Sequence, residues 1–301
     1  MAETLTVNIP QALRDVYSRE IIHAAQPRMR FSQFAKKRTD LSVNPGGTVK
    51  FTKFNSITKG GRLVEGVPIS NKVMGTTEIG LTVDEFGNGI QVSEKSIQLS
   101  MIDVLNEGVQ LLANDCAQVL DLELRDAALA TTNSIYGGGR TSGATLTVAD
   151  KFTTSMIKDA VEALTTNNAY RFDGEYFICI AHPHQLRQLR DDPSWIQVHQ
   201  YNGVENVYRG EVGMYEGVRF VETTQMPKNN AAASAAKGYA AIPTWEAIIF
   251  GDNSYAWAEA LPVELRDNGV EDYGRKHGLA WYAIWGFGIV EDSNIFKLIT
   301  A

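Results

Sequence analysis

Histidines give the most direct hint of chemistry in this sequence. His182 and His184 are separated by one proline, and His199 follows further along the chain. A catalytic zinc usually needs three well-placed protein ligands. The acidic pair Asp191–Asp192 is a poor third ligand, because it falls where a helical pattern changes into a loop. A strand that ends at a short helix therefore explains these histidines best. A metal-dependent hydrolase using the His182–His199 region is the alternative.

The serines and cysteines do not suggest a nucleophilic site. No Gly-x-Ser-x-Gly elbow stands in a convincing strand-to-helix setting. Cys179 lies between two isoleucines of an apolar strand pattern, where a thiolate is disfavoured, and Cys116 lies in a helical pattern. We expect both to be buried free thiols in a reducing compartment. We predict no catalytic residue, no metal and no cofactor.

The stretch GEVGMYEGVRFVET, residues 210–223, places glycines near an apolar run but not in the order of a phosphate loop. In nucleotide-binding loops the glycines follow a strand and open a helix, so that backbone amides point at phosphate. Here Val218 and Phe220 alternate after the glycines as in a strand, and Glu211 and Glu216 would repel an anion. We interpret the stretch as turns that lead into a core strand.

Charge is distributed unevenly over the 301 residues, whose formal net charge is −7. Residues 1–62 carry eleven lysines and arginines against four acids, so this part is +7 and the remainder is −14. A basic arm on an acidic body binds either nucleic acid or the acidic body of another copy. The arm also carries large apolar side chains such as Phe31 and Phe34, which favours self-association.

The chain carries no sign of secretion or of a membrane anchor. Its N-terminus lacks the basic start and apolar segment of a secretory signal. No uninterrupted apolar run approaches the ~20 residues that span a bilayer. We therefore expect synthesis in the cytoplasm and no membrane partner.

The first third of the chain predicts an amphipathic helix and a long hairpin. Residues 11–24 repeat apolar side chains at helical spacing between two prolines. The run TVKFTKF, residues 48–54, alternates, and so does a second run through Ile79, Leu81 and Val83. The polar, glycine-rich residues between these runs cannot form a core of their own. We expect this excursion to lie on a partner surface.

The strongest pattern is a helix over about residues 102–133. Its apolar stripe includes Leu112, Cys116 and Leu124, and the segment contains no proline. At ~1.5 Å per residue this helix would be roughly 45 Å long, which suits a strut. The glycine-rich YGGGRTSG, residues 136–143, should end it.

Helices and strands alternate in the rest of the chain. The expected elements are helices at 156–164 and 183–189, strands at 175–181, 218–221 and 247–250, and a loop or short helix at 231–238. The run LAWYAIWGFGIV, residues 279–290, is apolar on both faces, which predicts a central strand of a sheet. The five tryptophans are expected to anchor the core or an interface.

This order of elements resembles the major capsid proteins of tailed bacteriophages with the HK97-type fold. Within them it is similar to the family typified by the coliphage N4 major capsid protein. The segments that carry the resemblance are GGTVKFTKFNSI (46–57), GRLVEGVPI (61–69), AHPHQLRQLRDDPSW (181–195) and GEVGMYEGVRFVET (210–223). The resemblance covers essentially the whole chain and implies an α+β, HK97-like fold in a shell protein that is not an enzyme.

The resemblance also implies how the chain is divided. The expected parts are an N-terminal arm (1–47), an extended β-hairpin loop (48–77), a peripheral domain with the spine helix (78–144), an axial domain (145–261), long strands of the peripheral domain (262–290) and a C-terminal return to the axial domain (291–301). Inter-subunit contacts are expected from the basic side chains of arm and loop and from one loop glutamate: Arg14, Arg19, Arg28, Arg30, Lys36, Lys37, Arg38, Lys53, Lys59, Arg62 and Glu65.

The partners implied by the resemblance are mainly other copies of the chain. Pentamers and hexamers would close an icosahedral head around double-stranded DNA, without sequence-specific binding. Assembly would take place in the host bacterial cytoplasm with separate scaffold and portal proteins, and a decoration protein is a further candidate. Some members of the fold crosslink a loop lysine to a neighbour's asparagine, but nothing in this sequence identifies a matching asparagine and buried glutamate, so we make no prediction of crosslinks.

Overall fold

The computed structural model describes residues 29–38, 47–55, 57–63, 65–66, 68–69, 71–100, 103–195, 213–269 and 272–301. The helix predicted over residues 11–24 lies outside the described residues. So do His199, Arg14, Arg19, Arg28 and the start of the glycine-rich stretch, residues 210–212.

The described residues form a mixture of helices and strands, as the sequence predicted. The strands are β1 (Lys36–Arg38), β2 (Thr48–Phe54), β3 (Thr76–Thr82), β4 (Asp84–Ser93), β5 (Ser134–Tyr136), β6 (Phe177–Ala181), β7 (Met214–Tyr215), β8 (Val218–Glu222), β9 (Lys228–Asn229), β10 (Thr244–Phe250), β11 (Tyr255–Asp267), β12 (Lys276–Ile289) and β13 (Ile295–Thr300). The α-helices are α1 (Glu94–Leu99), α2 (Val104–Leu129), α3 (Thr154–Thr166), α4 (Pro183–Arg190) and α5 (Ala231–Ala236). None of the helices formed by the described residues has the length and apolar character needed to cross a bilayer.

The strands form two sheets and a separate two-stranded ladder. The larger sheet has the order β5-β13-β10-β6-β8-β7, with the short β9 paired to β10. The smaller sheet has the order β1-β11-β12-β4, so the apolar β12 is an inner strand, as its sequence predicted. The ladder joins β2 to β3 in antiparallel register.

The larger sheet contains the most completely buried strands of the described chain. Every residue of β6 is buried, which explains its uninterrupted apolar sequence. Helix α3 contributes Met156, Ile157 and Leu164 to the same core, and α4 contributes Leu186. The strands and helices expected in this part of the sequence are confirmed.

Helix α2 packs on the smaller sheet and provides its core. Leu112, Cys116 and Leu124 are buried, as their spacing predicted. They belong to the same core as the tryptophans Trp281 and Trp285 of β12, whose rings stack at 5.8 Å. The described tryptophans that are buried therefore act as core anchors.

The observed end of α2 corrects the sequence prediction. The helix stops at Leu129, before the glycine-rich segment that was expected to end it. The reason is a long-range contact: the hydroxyl groups of Thr131 and Thr132 donate to the carboxylate of Asp292 at 2.6 and 2.7 Å. Asn133 donates to the Asp292 carbonyl oxygen at 2.6 Å. These polar side chains take the chain out of the helix and into β5.

Candidate assembly surfaces

His182 caps a helix, and its neighbour His184 stacks on a tryptophan. The Nδ1 atom of His182 accepts a hydrogen bond from the backbone N–H of His184 at 3.1 Å, so His182 begins α4 as a capping residue. His184 stacks on Trp245 with ring centroids 4.0 Å apart. Burial lowers the pKa of both imidazoles. Within the described ranges no three His, Cys, Asp or Glu side chains converge as metal ligands. The arrangement does not support the alternative hydrolase.

The two cysteines are buried thiols, as predicted. Cys179 lies inside β6 with no exposed surface, and burial raises its pKa far above the ordinary value. Burial also raises the pKa of Cys116. Neither sulfur has the exposure or the neighbouring cation that a reactive thiolate requires.

The described part of the glycine-rich stretch is a hairpin and not a phosphate loop. Met214–Tyr215 pairs with the start of β8, and Glu216 and Gly217 turn the chain between them. Both turn residues have positive φ, 51° and 72°, which the two-residue hairpin turn requires. The strand β8 that follows pairs with β6 in the larger sheet. The stretch therefore leads into a core strand, as expected.

The long hairpin predicted before α2 is confirmed. Thr48–Phe54 pairs with Thr76–Thr82 residue by residue, and no further strand of the described chain joins this ladder. A two-stranded hairpin is at best marginally stable by itself. The position of the hairpin therefore depends on the contacts that the ladder makes with the rest of the subunit.

The segment that joins the two strands of the ladder exposes apolar side chains. We call the described residues of 54–75 the loop tip. Val73 is 93% exposed, and large apolar side chains around it are also mostly open to solvent. The exposed apolar residues of the loop tip are Phe54, Ile57, Leu63, Ile69, Val73 and Met74. A concentration of this kind on one excursion indicates a surface that another protein covers.

The base of the ladder, at Leu81 and Thr82, is seated on the smaller sheet through glycines. Leu81 is buried in a small cluster with Ala256 and Ala258. A Cβ atom on Gly288 would lie 2.5 Å from Leu81 Cδ2, and one on Gly286 would lie 2.4 Å from a carbonyl oxygen of β3. Only glycine at these two positions lets the base of the hairpin approach the sheet so closely. We call this contact the hairpin seat.

An ion pair holds the ladder on the body near its loop-tip end, beyond the hairpin seat. Lys53 contacts the carboxylate of Glu291, which follows β12. Burial raises the pKa of Glu291, but the hydrogen bonds from Lys53 and Ser293 outweigh burial, and the net shift is downward. Lys53 was predicted to contact a neighbouring subunit, and its partner in the described structure is in its own chain.

The predicted contact residues near the arm also have partners within the chain. Residues 36–38 form β1, which pairs in parallel with β11. Lys37 lies 2.5 Å from a carboxylate oxygen of Glu259 and 4.6 Å from the ring centroid of Trp257. Lys36 donates to the side-chain oxygen of Asn253 at 2.5 Å. The charge distribution suggested acidic partners on another copy, but the acidic partner of Lys37 lies in the same subunit.

Five predicted contact residues remain within the described ranges. Lys59, Arg62 and Glu65 are exposed in the loop tip. Arg30 has its backbone N–H bonded to Asp121, and Arg38 ends β1. Sequence reasoning missed Asp121, and the signal that could have revealed it is a charged residue close to the apolar stripe of α2.

Comparison of the sequence with known families identifies one. The profile of the phage capsid protein family matches residues 76–298, about three quarters of the chain. A sequence comparison with curated proteins gave no match.

Comparison with solved structures shows the same fold at low sequence identity. The cyanophage Pam1 capsid matches with a TM-score of 0.78 at 16% identity, over 97% of each chain. The capsid of Ralstonia phage GP4 matches with a TM-score of 0.76 at 17% identity, over 100% of this chain and 98% of that one. The acid-stable capsid of Helicobacter pylori bacteriophage KHP30 matches with a TM-score of 0.76 at 14% identity, over 100% and 98%.

These matches cover the smaller sheet, the long helix and the larger sheet together, so the fold is HK97-like as a whole. The family consists of structural shell proteins, which agrees with the capping role of the histidines and the burial of the thiols. The chain belongs to the phage capsid protein family.

Proposed function

We propose that this chain is the major shell subunit of a tailed bacteriophage head, of the type represented by the phage N4 major capsid protein. Copies assemble into pentamers and hexamers, and these close an icosahedral shell around double-stranded DNA. The protein is a component of the virion and catalyses no reaction.

The observation that carries this proposal is the exposed loop tip on a hairpin with no core of its own. Large apolar side chains such as Leu63 and Val73 lie in solvent in the isolated subunit. The hairpin seat and the Lys53–Glu291 ion pair hold the ladder on the body, while the apolar side chains of the loop tip stay exposed. A second copy that covers the tip would bury this surface, and repetition of the contact around a ring would link the subunits.

We further propose the division of the chain that the capsid resemblance implies. Residues 48–77 act as the extended loop, and 78–144 with 262–290 as the peripheral domain around α2. Residues 145–261 with 291–301 act as the axial domain. The two described sheets support this division, because β4 and β12 share one sheet and β6, β8, β10 and β13 share the other. They differ from it at two strands: the whole of β11 (Tyr255–Asp267) lies in the smaller sheet, and β5 (Ser134–Tyr136) lies in the larger sheet.

The N-terminal arm that we propose is shorter than the 1–47 expected from the sequence. Phe31 is fully buried in the main core, and residues 36–38 form a strand of the smaller sheet. Residues 29–38 therefore belong to the folded body, and we propose that the arm that reaches a neighbour is formed by residues 1–28. Its basic side chains Arg14, Arg19 and Arg28 would contact the acidic surface of another copy.

The other partners follow from the same role. Scaffold and portal proteins would guide assembly in the host cytoplasm, and a decoration protein could bind the finished shell. DNA would be enclosed without sequence-specific contacts.

Electron microscopy and sedimentation of the expressed chain test the proposal. We expect closed shells or rings from the full chain, in a suitable range of salt and scaffold concentrations. A chain that starts at Met29 should fold but form few closed shells, since it keeps the body and lacks the arm. A full chain that stays monomeric under all these conditions would contradict the proposed function. Normal shells from the shortened chain would contradict only the role of the arm.

A further inference from the structure

A buried charge holds the segment from which the N-terminal arm leaves the body. Asp121 lies on α2 and is fully buried. Its Oδ2 atom accepts a hydrogen bond from the backbone N–H of Arg30 at 2.9 Å. Its Oδ1 atom accepts from the N–H groups of Phe31 at 2.8 Å and Ser32 at 3.0 Å. Three consecutive backbone amides therefore converge on one carboxylate.

The opposite side of the same segment is also held. The carbonyl oxygen of Phe31 accepts a hydrogen bond from the hydroxyl of Tyr255 at 2.9 Å and one from the N–H of Phe34 at 3.2 Å. Tyr255 is itself buried, and burial together with the charge of Asp121 raises its pKa, so the phenol keeps the proton that it donates. We call residues 30–32, with Asp121 and Tyr255, the arm clamp.

Asp121 would destabilise the fold at its position if the hydrogen bonds of the arm clamp were not formed. A buried carboxylate is strongly destabilising when its oxygens lack hydrogen-bond donors. Among the described residues no cationic side chain forms an ion pair with Asp121, and its identified donors are the three backbone amides. An apolar residue would suit the interior of α2 better if packing were the only requirement. The carboxylate therefore contributes orientation: it specifies which three backbone amides lie against the helix.

Apolar packing alone would not define this register. The side chain of Phe31 is buried, and an aromatic ring can occupy a core site with several backbone orientations. Three directed hydrogen bonds to one carboxylate exclude most of these orientations. The arm clamp thus sets both the position and the direction in which the chain leads back toward residue 28.

We propose that Asp121 is a positioning residue for assembly: it fixes the exit point of the N-terminal arm so that residues 1–28 are directed onto the neighbouring copy. This inference rests on the proposed function and adds to it a residue that no interface contact would reveal. It also separates two roles at the arm clamp. Phe31 stabilises the fold by packing in the core, and Asp121 orients the residues that precede the arm clamp.

The experiment compares two variants of the full chain that remove one charge from the same helix. Asp121→Asn removes the charge of the arm clamp, and its amide must place an N–H₂ group against either the Arg30 amide or the other two. Asp126→Asn is the matched control, because Asp126 lies on α2 with a side chain that is 58% exposed. Hydrogen exchange followed by mass spectrometry reports the backbone amides of residues 30–32 directly. Electron microscopy of the same samples reports shell closure.

We expect exchange of the amides at 30–32 to be about tenfold faster or more in Asp121→Asn, because hydrogen bonds to a charged acceptor are lost. Peptides from β6 and β10 should keep their protection. The yield of closed shells should fall strongly, while Asp126→Asn should match the wild type in both measurements. The proposal is overturned if exchange at 30–32 stays within about twofold of the control. It is equally overturned if Asp121→Asn forms closed shells at the wild-type yield.

A second variant decides the question if Asp121→Asn does not fold. Tyr255→Phe removes one hydroxyl donor from the arm clamp and keeps the buried ring. Faster exchange at 30–32 with defective shells would support the proposal, and faster exchange with normal shells would overturn it. Failure of the wild-type chain to assemble would contradict the proposed function. The exchange measurement would then still show whether Asp121 holds residues 30–32.

Discussion

The larger sheet and the loop tip both carry large apolar side chains, but only the sheet buries them within the subunit. All five residues of β6 are buried between β10 and β8. In the loop tip, Leu63 and Ile69 are about two thirds exposed, at 68% and 66%. The larger sheet uses its apolar surface to fold the subunit. The loop tip keeps its surface available for a partner.

This difference separates folding energy from assembly energy within one chain. Substitutions in the larger sheet should lower the free energy of unfolding of the subunit, since their contacts exist in every copy. Substitutions in the loop tip should leave that free energy unchanged and should act only when copies meet. The predictions below are ordered by their expected effect on the free energy of unfolding.

The largest loss is expected from Phe250→Ala in β10. Phe250 is fully buried, and its ring contacts those of Phe34, Phe172 and Tyr255 at centroid distances of 6.1, 5.9 and 5.2 Å. Loss of a buried phenylalanine leaves a cavity and costs about 3–5 kcal/mol. Urea unfolding of the purified subunit, followed by tryptophan fluorescence, measures the change.

Phe54→Ala in the loop tip is the matched control, because it removes the same side chain from a position that is 66% exposed. Its effect on the free energy of unfolding should stay within about 0.5 kcal/mol. An equal loss of unfolding free energy in the two variants would show that the loop tip is part of the subunit's own core. The distinction between the loop tip and the larger sheet would then be wrong.

Local sequence patterns were sufficient for both of these regions. Alternation in residues 48–54 and around Leu81 predicted the ladder, and the apolar run of β6 predicted a buried strand. The composition of the loop tip also predicts a partner surface, because it lacks enough apolar residues for its own core, and this stays a prediction. These features depend on neighbours along the chain, which a sequence displays directly.

Long-range contacts could not be predicted in the same way. The end of α2 depends on Asp292, which lies about 160 residues further along the chain. Lys37 and Lys53 were expected to meet acids on another copy, but Glu259 and Glu291 of the same chain are their observed partners. Charge distribution shows that a basic segment needs acidic partners. It does not show which copy supplies them.

The second largest effect is expected at the hairpin seat. A Cβ atom at position 288 would lie 2.5 Å from Leu81 Cδ2, so the side chain introduced by Gly288→Val would collide with Leu81. Leu81 must leave its buried position or the hairpin must shift, which costs about 1–3 kcal/mol. The free energy of unfolding should fall by this amount, and closed shells should be lost because the loop tip points in a new direction.

Gly61→Val is the control for this prediction, since nothing lies within 4 Å of a Cβ atom at Gly61. It adds the same side chain to the loop tip without pushing against the body. If Gly288→Val assembles as well as Gly61→Val, the seat does not determine the direction of the hairpin.

A smaller and pH-dependent effect is expected from Lys53→Met. The pKa of Glu291 is lower in the folded state than its ordinary value, so the carboxylate contributes stability above that value, about pH 4.3. This contribution is lost as the pH falls through the lowered pKa and Glu291 takes up a proton. The wild type should exceed the variant by up to about 1 kcal/mol at pH 7, and the difference should shrink below about pH 4.

Urea unfolding of the two proteins from pH 7 to pH 3 tests this prediction. Lys50→Met is the control, because Lys50 pairs with Glu78 at 2.8 Å on the exposed face of the hairpin. A difference for Lys53→Met that stays constant over the whole range would show that Glu291 is not the group responsible.

The smallest effect on folding, and the sharpest test of the comparison, is expected from Val73→Asp. Val73 is 93% exposed in the loop tip, so the free energy of unfolding should change by no more than about 0.5 kcal/mol. In the assembled shell the same aspartate would be buried without a partner, which is costly enough to prevent the contact. Val148→Asp, at a position that is 71% exposed outside the hairpin, provides the control. Sedimentation should show that Val73→Asp remains unassembled while Val148→Asp forms shells. Full assembly of Val73→Asp would mean that the exposed apolar end of the hairpin is not the surface that joins the subunits.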